Sequence, residues 1–275
     1  MSATRFRTDY FNRRHALSAL GALGVAGCGG GSSGSSSSSS ASGSISSSSS
    51  SASTSSSSSS SSSSATSGSS SGSCVAGAPS CVIAPSETLG PYPAFQNGIV
   101  TLSSIYRQDM LPDLTGRFAD RTGVPLTMDI RLVNVNNNCA PLVGYDVYVW
   151  HCDKDGSYSY YGSYTNSYFL RAAQTTNACG EVAFNSIFPG WYAGRHPHLH
   201  LAVALGSSSQ AVTQMAWPQS VLTAVYGSGL YSARGQADTS LSADGIFQGN
   251  AGQIATTTGS VAAGYRSQWV LGIAL

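Results

Sequence analysis

Pro189-Gly190-Trp191-Tyr192-Ala193-Gly194-Arg195-His196-Pro197-His198-Leu199-His200 places a tyrosine, an arginine and two alternating histidines within a dozen residues. The last three open a run, 198–205, that reads as a short strand. Residues i and i+2 of a strand share one face, so the imidazoles of His198 and His200 can reach one metal ion. Pro189 and Gly190 mark a turn just before Tyr192.

A second tyrosine, Tyr158, ends another marked stretch, Trp150-His151-Cys152-Asp153-Lys154-Asp155-Gly156-Ser157-Tyr158. Imidazole alone suits Zn, Cu, Fe or Ni. Two phenolate oxygens beside it tip the balance towards ferric iron, as tyrosine does for the haem of catalase. Tyr158, Tyr192, His198 and His200 are therefore the candidate metal ligands.

The remaining folded part reads as mostly β. Residues 126–135 alternate, with Leu126, Met128, Ile130 and Leu132 against Thr127, Asp129, Arg131 and Val133. Strands are also expected over 142–150 and 181–188, with turns at 136–138, 153–156 and 177–180. A single short helix is expected over 219–226. Many short strands with turn-rich links favour an all-β fold, an antiparallel β-sandwich, in one catalytic domain over 74–275.

The N-terminus reads as targeting sequence. Arg5, Arg7, Arg13 and Arg14 precede an apolar run at about 15–27, too short to span a bilayer as a helix of about 20 residues. Asn12-Arg13-Arg14-His15-Ala16-Leu17 resembles a twin-arginine signal, and Val25-Ala26-Gly27-Cys28 resembles a lipoprotein cleavage box. Residues 1–28 are thus expected to be an export signal. Cys28 would carry a lipid and be the only link to a membrane. Residues 29–73, almost all serine, have nothing to bury and should form a disordered tether. The expected location is the bacterial cell envelope.

From Cys74 onward the chain holds nine basic and eleven acidic side chains, a net charge of −2. With no basic stripe, nucleic acid is excluded as an expected partner. Five cysteines remain in this part, and outside the cytoplasm disulfides are expected. Cys74 and Cys81 flank a short loop that a disulfide between them would close. Cys139 and Cys152 read as opposite ends of one strand, too far apart to pair. The odd count leaves at least one thiol free or paired between chains, and Cys152 is read as buried or disulfide-bonded, not as a ligand.

The domain resembles the intradiol ring-cleavage dioxygenases, the family of catechol 1,2- and protocatechuate 3,4-dioxygenases. The resemblance runs from about 81 to 275. It rests on Glu87-Thr88-Leu89-Gly90-Pro91-Tyr92, the W-H-C-D-x-x-G-x-Y run, Tyr168-Phe169-Leu170-Arg171, residues 184–200, Thr213-Gln214-Met215 and 238–244. It is closest to the secreted branch, which lacks a helical dimerisation domain. The resemblance implies one Fe(III) per chain, with Tyr192 and His198 axial, Tyr158 and His200 equatorial, and hydroxide as the fifth ligand. It implies that Arg195 is the active-site arginine, that Gln214 hydrogen-bonds a ligand or Arg195, and that Gly90, Pro91 and Tyr92 wall the substrate pocket. The implied substrates are a catechol-type diol and O2. The resemblance further implies that Tyr192 leaves the metal as the diol binds and that the product is a cis,cis-muconate.

Blander readings compete. An isolated H-x-H is more often a polar strand face, and with 14 tyrosines in the chain only motif position singles out two. Tyr160, Tyr161, Tyr164 and Tyr168 read as packing or surface residues, His151 as structural, and Asp153 and Asp155 as turn formers. The alternative function is a tethered, non-catalytic β-sandwich that binds aromatics, polysaccharide or protein. A zinc hydrolase would need a general-base carboxylate near the metal, and 192–200 holds none.

Overall fold

The computed structural model describes Cys74 and residues 81–95, 99–206 and 208–275. The expected export signal (1–28), Cys28 and the serine tether (29–73) lie outside the described residues. Nine strands follow in order among the described residues: β1 (Pro125–Asn134), β2 (Ala140–Pro141), β3 (Asp146–Trp150), β4 (Arg171–Thr175), β5 (Glu181–Ile187), β6 (His198–Leu205), β7 (Ser208–Ala216), β8 (Thr256–Ser260) and β9 (Gly264–Ile273). Among the described residues one α-helix, α1 (Gln219–Tyr226), follows β7, where the sequence places it.

The strands form two sheets. One runs β2-β1-β9-β8, with β5 also paired to β1; the other runs β4-β3-β6-β7. Leu126, Met128, Ile130 and Leu132 of β1 are buried, and the residues between them are partly exposed. They meet Val147, Val149, Leu199, Leu201 and Val203 of the second sheet in one apolar core. Each such side chain removed from water stabilises the fold by about 1.5–3 kcal/mol. The all-β sandwich expected from the alternation is the observed fold.

One pairing differs from the antiparallel expectation. β1 and β9 run parallel, Leu126 beside Tyr265 through Asn134 beside Ile273. β8, reached by the long connection from β7 through α1, runs antiparallel to β9 and carries the chain to the end where β1 starts, as a parallel neighbour requires. β2, β4, β7, β8 and β9 were not anticipated as strands, and the run expected over 142–150 is a strand only from Asp146.

β6 is buried on both faces. Leu199, Leu201 and Val203 point into the sandwich, while His198, His200, Ala202 and Ala204 point outward and are still covered. A second apolar layer lies over that outer face, built from Leu89, Phe95, Ile99, Ile105 and Tyr158 on Tyr148, Trp150 and Ala202. The candidate ligands therefore sit under this outer layer, not between the sheets.

The cysteine expectation is corrected. Cys74 pairs with Cys179, and Cys81 with Cys139; Cys74 and Cys81 do not pair with each other. Antiparallel pairing of β1 with β5 sets Arg131 beside Glu181, so the turns holding Cys139 and Cys179 lie at one end of the sheet. Cys74 is fastened to one of these turns and Cys81 to the other. Cys139 also lies in the turn before β2, separated from Cys152 by two strands, so the two are not ends of one strand. Cys152 is the free, buried thiol, and it donates to the Gly190 carbonyl at 3.4 Å.

The segment 81–95 is thus a strap tied down at its start. Ala84 N donates to Gly272 O at 2.8 Å, and Glu87 N donates to Val212 O at 2.9 Å. Further on, Tyr148 Oη donates to Pro93 O at 3.2 Å. Replacing Cys81 and Cys139 together by serine is expected to cost about 2–4 kcal/mol of unfolding free energy, measured by denaturant titration. Unchanged stability would mean that the strap is held without its covalent tie.

Candidate metal centre

Each candidate ligand is placed by a local device. His198 and His200 share the outer face of β6, as strand period two requires. His200 lies between Trp150 of β3 and Gln214 of β7 in the sheet. The Trp150 ring stacks on the His200 imidazole at 5.0 Å with 6° between planes. Gly90 of the strap presses on the same ring, since a Cβ there would lie 3.0 Å from His200 Cε1.

The two tyrosines come from loops that brace each other. After β3, Asp153 Oδ1 accepts from Asp155 N at 3.0 Å and Ser157 N at 2.9 Å, which builds the turn leading to Tyr158. Gly190 N donates to Asp153 O at 2.8 Å, and a Cβ at Gly190 would collide with the Lys154 carbonyl. That contact fixes the start of the Tyr192 loop against the Tyr158 loop. Arg171 is fully buried and donates to Ser159 Oγ at 2.8 Å and Ser159 O at 2.9 Å, which holds the residue after Tyr158. Tyr92 stacks on Tyr158 with ring centroids 4.6 Å apart.

These devices bring all four side chains together. Tyr192 Oη lies 2.9 Å from His198 Nε2, which lies 3.1 Å from His200 Nε2. The Tyr158 ring is 6.0 Å from that of Tyr192 and 6.2 Å from that of His200. His198 Nδ1 lies 2.5 Å from the His196 carbonyl, which only accepts, so Nδ1 carries the proton and Nε2 the lone pair. Tyr192 and His200 both converge on that one lone pair. The buried Tyr158 hydroxyl and His200 Nδ1 have no hydrogen-bond partner, although Tyr158 and Tyr192 are close enough to affect each other's acidity.

The electrostatics agree. Burial, with Arg195 adding, pushes the His198 pKa down to about 3. Burial and His198 hold His200 well below the usual imidazole range. Burial raises Tyr192 to about 12, and burial and Tyr192 raise Tyr158 well above the usual phenol range. Neutral imidazoles offer lone pairs, and two phenols stand ready to lose protons to a cation. Two nitrogens and two oxygens converging at a buried point with unpartnered polar atoms fit a hard, high-valent metal ion, and they fit the ferric iron implied by the sequence resemblance.

Arg195 stands beside this group. Its Nε donates to Asp244 Oδ2 at 2.8 Å, and its Nη2 donates to Gln214 Oε1 at 2.6 Å. Of the two partners left open for Gln214, Arg195 is the observed one. Asp244 Oδ2 also accepts His196 N at 2.7 Å. Burial raises the Asp244 pKa, but the Ile246 and His196 N–H groups and Arg195 together hold it below the ordinary value. A carboxylate so committed is not a free base, which argues against the zinc hydrolase reading. A hollow of about 810 Å³ opens on the outer face of the other sheet, beside Asp129, Glu181 and Gln268, and holds none of these residues.

Residues 108–236 match the dioxygenase family model. Among solved structures, the chain is similar to an intradiol ring-cleavage dioxygenase from Tetranychus urticae. The identity is 25%, over 70% of this chain and 95% of that one, with a TM-score of 0.60. The matched part is thus similar to the dioxygenase family model, and the fold to that of an intradiol ring-cleavage dioxygenase. A dioxygenase domain from Streptomyces sp. SirexAA-E is similar at 20% identity over 70% of this chain and 99% of that one, with a TM-score of 0.49. No curated protein sequence matches significantly.

The structure adds residues that sequence reasoning left without roles. Trp150 and Asp244 lay inside quoted motifs, yet only folding shows that one stacks on His200 and the other holds Arg195. Gln253 was not singled out at all; it ends a single 3-10 turn, Ala251–Gln253, before β8, with no local signal. His151 is structural as expected, between Cys152 O and Ser186 Oγ at 2.7 Å each. Pro91 is exposed at the strap's surface, while Gly90 and Tyr92 touch the site.

Two outcomes are expected. Gly90 has φ +68°, so Gly90→Ala adds left-handed strain of about 1–2 kcal/mol and displaces His200. Denaturant titration and metal titration should both register it. In the metal-free protein, His151 is lowered to about 4 and His198 to about 3, both by burial first. The unfolded chain takes up those protons below about pH 6.5 and the folded one does not, so stability falls as pH drops. The slope approaches about 1.4 kcal/mol per pH unit for each histidine. Melting temperatures flat from neutral pH down to about 4 would contradict the buried, neutral imidazoles.

Proposed function

We propose that the protein is an exported, ferric-iron-dependent intradiol dioxygenase of the family's secreted branch. It opens a catechol-type ring between the two hydroxylated carbons with O2 and yields a cis,cis-muconate-type dicarboxylate. The observation that carries the reading is the convergence of Tyr192, His198 and His200 within about 3 Å contacts, with buried Tyr158 beside them.

Tyr158, Tyr192, His198 and His200 would hold one iron per chain. Bound there, ferric iron supplies a Lewis acid that acidifies a catechol and favours its attack by dioxygen. The chain's own residues do the rest. Tyr192 is only partly buried while Tyr158 is fully enclosed, so Tyr192 is the phenol that can turn outward and hold a proton taken from the diol. Arg195, a permanent cation fixed by Asp244 and Gln214, stabilises negative charge on the substrate ring. Gly90 and Tyr92 wall the pocket from the strap side, and the Tyr92 ring offers an aromatic face. Trp150 and the second apolar layer keep water from the histidines.

Export and lipid anchoring at Cys28 complete the proposal, with residues 29–73 as spacer. Two disulfides in the folded part support an oxidising location.

The test is oxygen uptake by the iron-loaded protein with catechol, with one O2 consumed per ring opened and the muconate seen by its ultraviolet absorbance. Arg195→Ala should lower kcat by about 10²–10³ with iron content unchanged. Tyr158→Phe should lose iron. Because the phenols bind metal only after losing protons, iron affinity should rise with pH. No uptake with any simple diol would sink the proposal.

A further inference from the structure

Behind Arg195 lies a buried polar cluster, two members of which, Glu87 and Gln253, the reaction as proposed does not use. Glu87 of the strap accepts from Gln253 Nε2 through its Oε1 at 2.5 Å. The same Nε2 donates to the main-chain carbonyl of Gln214 at 2.9 Å. Gln214 in turn accepts from Arg195 at 2.6 Å, and Arg195 donates to Asp244 at 2.8 Å. Gln214, Gln253 and Asp244 are fully buried, and Glu87 nearly so. Glu87 is locked in place by its main-chain bond to Val212, two residues before Gln214 on β7. One carboxyl oxygen of Glu87, the Gln214 amide nitrogen and the Gln253 amide oxygen have no partner. Unsatisfied buried groups cost roughly 1–3 kcal/mol each, so a cluster that leaves three of them is poor at merely holding the fold together.

We infer that Glu87 and Gln253 are positioning residues for Arg195, acting through Gln214, and that the charge on Glu87 sets how much of the arginine's field reaches the substrate. The inference rests on the dioxygenase reading. The charged groups facing Glu87 are Arg195, from the loop before β6, and Asp244, from the loop after α1. β7 and the segment 251–255, which also pack on it, contribute no charged side chain. Burial raises the Glu87 pKa to about 7, against the opposing pull of Gln253 and Arg195. In the neutral form Arg195 is balanced by Asp244 alone. In the ionised form a second carboxylate shares it, and less positive charge is left for the ring during cleavage. A field that matters most to developing charge acts on kcat more than on KM.

The experiment is the pH profile of oxygen uptake by the iron-loaded full chain with catechol. The wild type should lose about three- to tenfold in kcat as pH rises through about 7, with KM changing less than about twofold. Glu87→Gln keeps the acceptor for Gln253 and cannot ionise. It should match the wild type at low pH within about twofold and lack the fall at high pH. Gln253→Leu, which cuts the link but leaves Glu87, should lower kcat across the whole range. An iron-free readout accompanies these. A folded pKa raised from 4.5 to about 7 means that Glu87 supports folding at low pH and loses that support through about 7. The melting temperature of Glu87→Gln should therefore gain on the wild type across that window. Superimposable kcat profiles for wild type and Glu87→Gln would overturn the inference and leave the dioxygenase reading standing. A wild type that consumes no oxygen would overturn both.

Discussion

The structure depends on an over-subscribed nitrogen. His198 spends its Nδ1 proton on the His196 carbonyl, so Nε2 can only accept, and Tyr192 and His200 both crowd that single lone pair. A lone pair accepts one good hydrogen bond. The cluster therefore has more polar atoms than it can satisfy until a cation replaces the protons. Such an arrangement is unfavourable in isolation and persists only where the surroundings impose it. Here β6 imposes the histidine spacing, and two loops and a strap close round it.

That view gives the outer layer its purpose. The sandwich core needs only one face of the β4-β3-β6-β7 sheet, and a helix or solvent could have covered the other. Instead the chain lays the strap and the loop after β3 across it, so the histidines are as dry as the core. Drying is what holds the imidazoles neutral and the phenols protonated. The disulfides fasten the strap at the far end of the other sheet, which gives a segment without regular structure a fixed course past Gly90 and Tyr92. The glycine at 90 is part of the same constraint, since any side chain there meets His200.

Local spacing made part of this legible in the sequence. β1, β5, β6 and α1 show their period over a few residues, and the ligands fall in two short runs whose order alone singles them out. β4 (Arg171–Thr175) and β8 (Thr256–Ser260) carry no apolar alternation, and β9 breaks its own at Ser267, so they were missed. The parallel β1–β9 pair depends on where a long connection returns, which no window of residues contains. The disulfides were misjudged because neighbours in sequence were preferred over turns that the β1–β5 ladder brings together. The support of Arg195 by Asp244 and Gln214, and of Gln214 by Gln253, spans separations of 49, 19 and 39 residues. Only the fold brings these residues together.

The central claim is that four side chains, neutral without metal, form a tyrosinate–imidazole site for ferric iron, open to diols. The direct measurement is the visible absorption spectrum of the purified protein after ferric loading, before and after anaerobic catechol. A broad burgundy band that moves to longer wavelength with catechol is the predicted result. A protein that stays colourless after loading would contradict the four-ligand site and leave the fold without its iron.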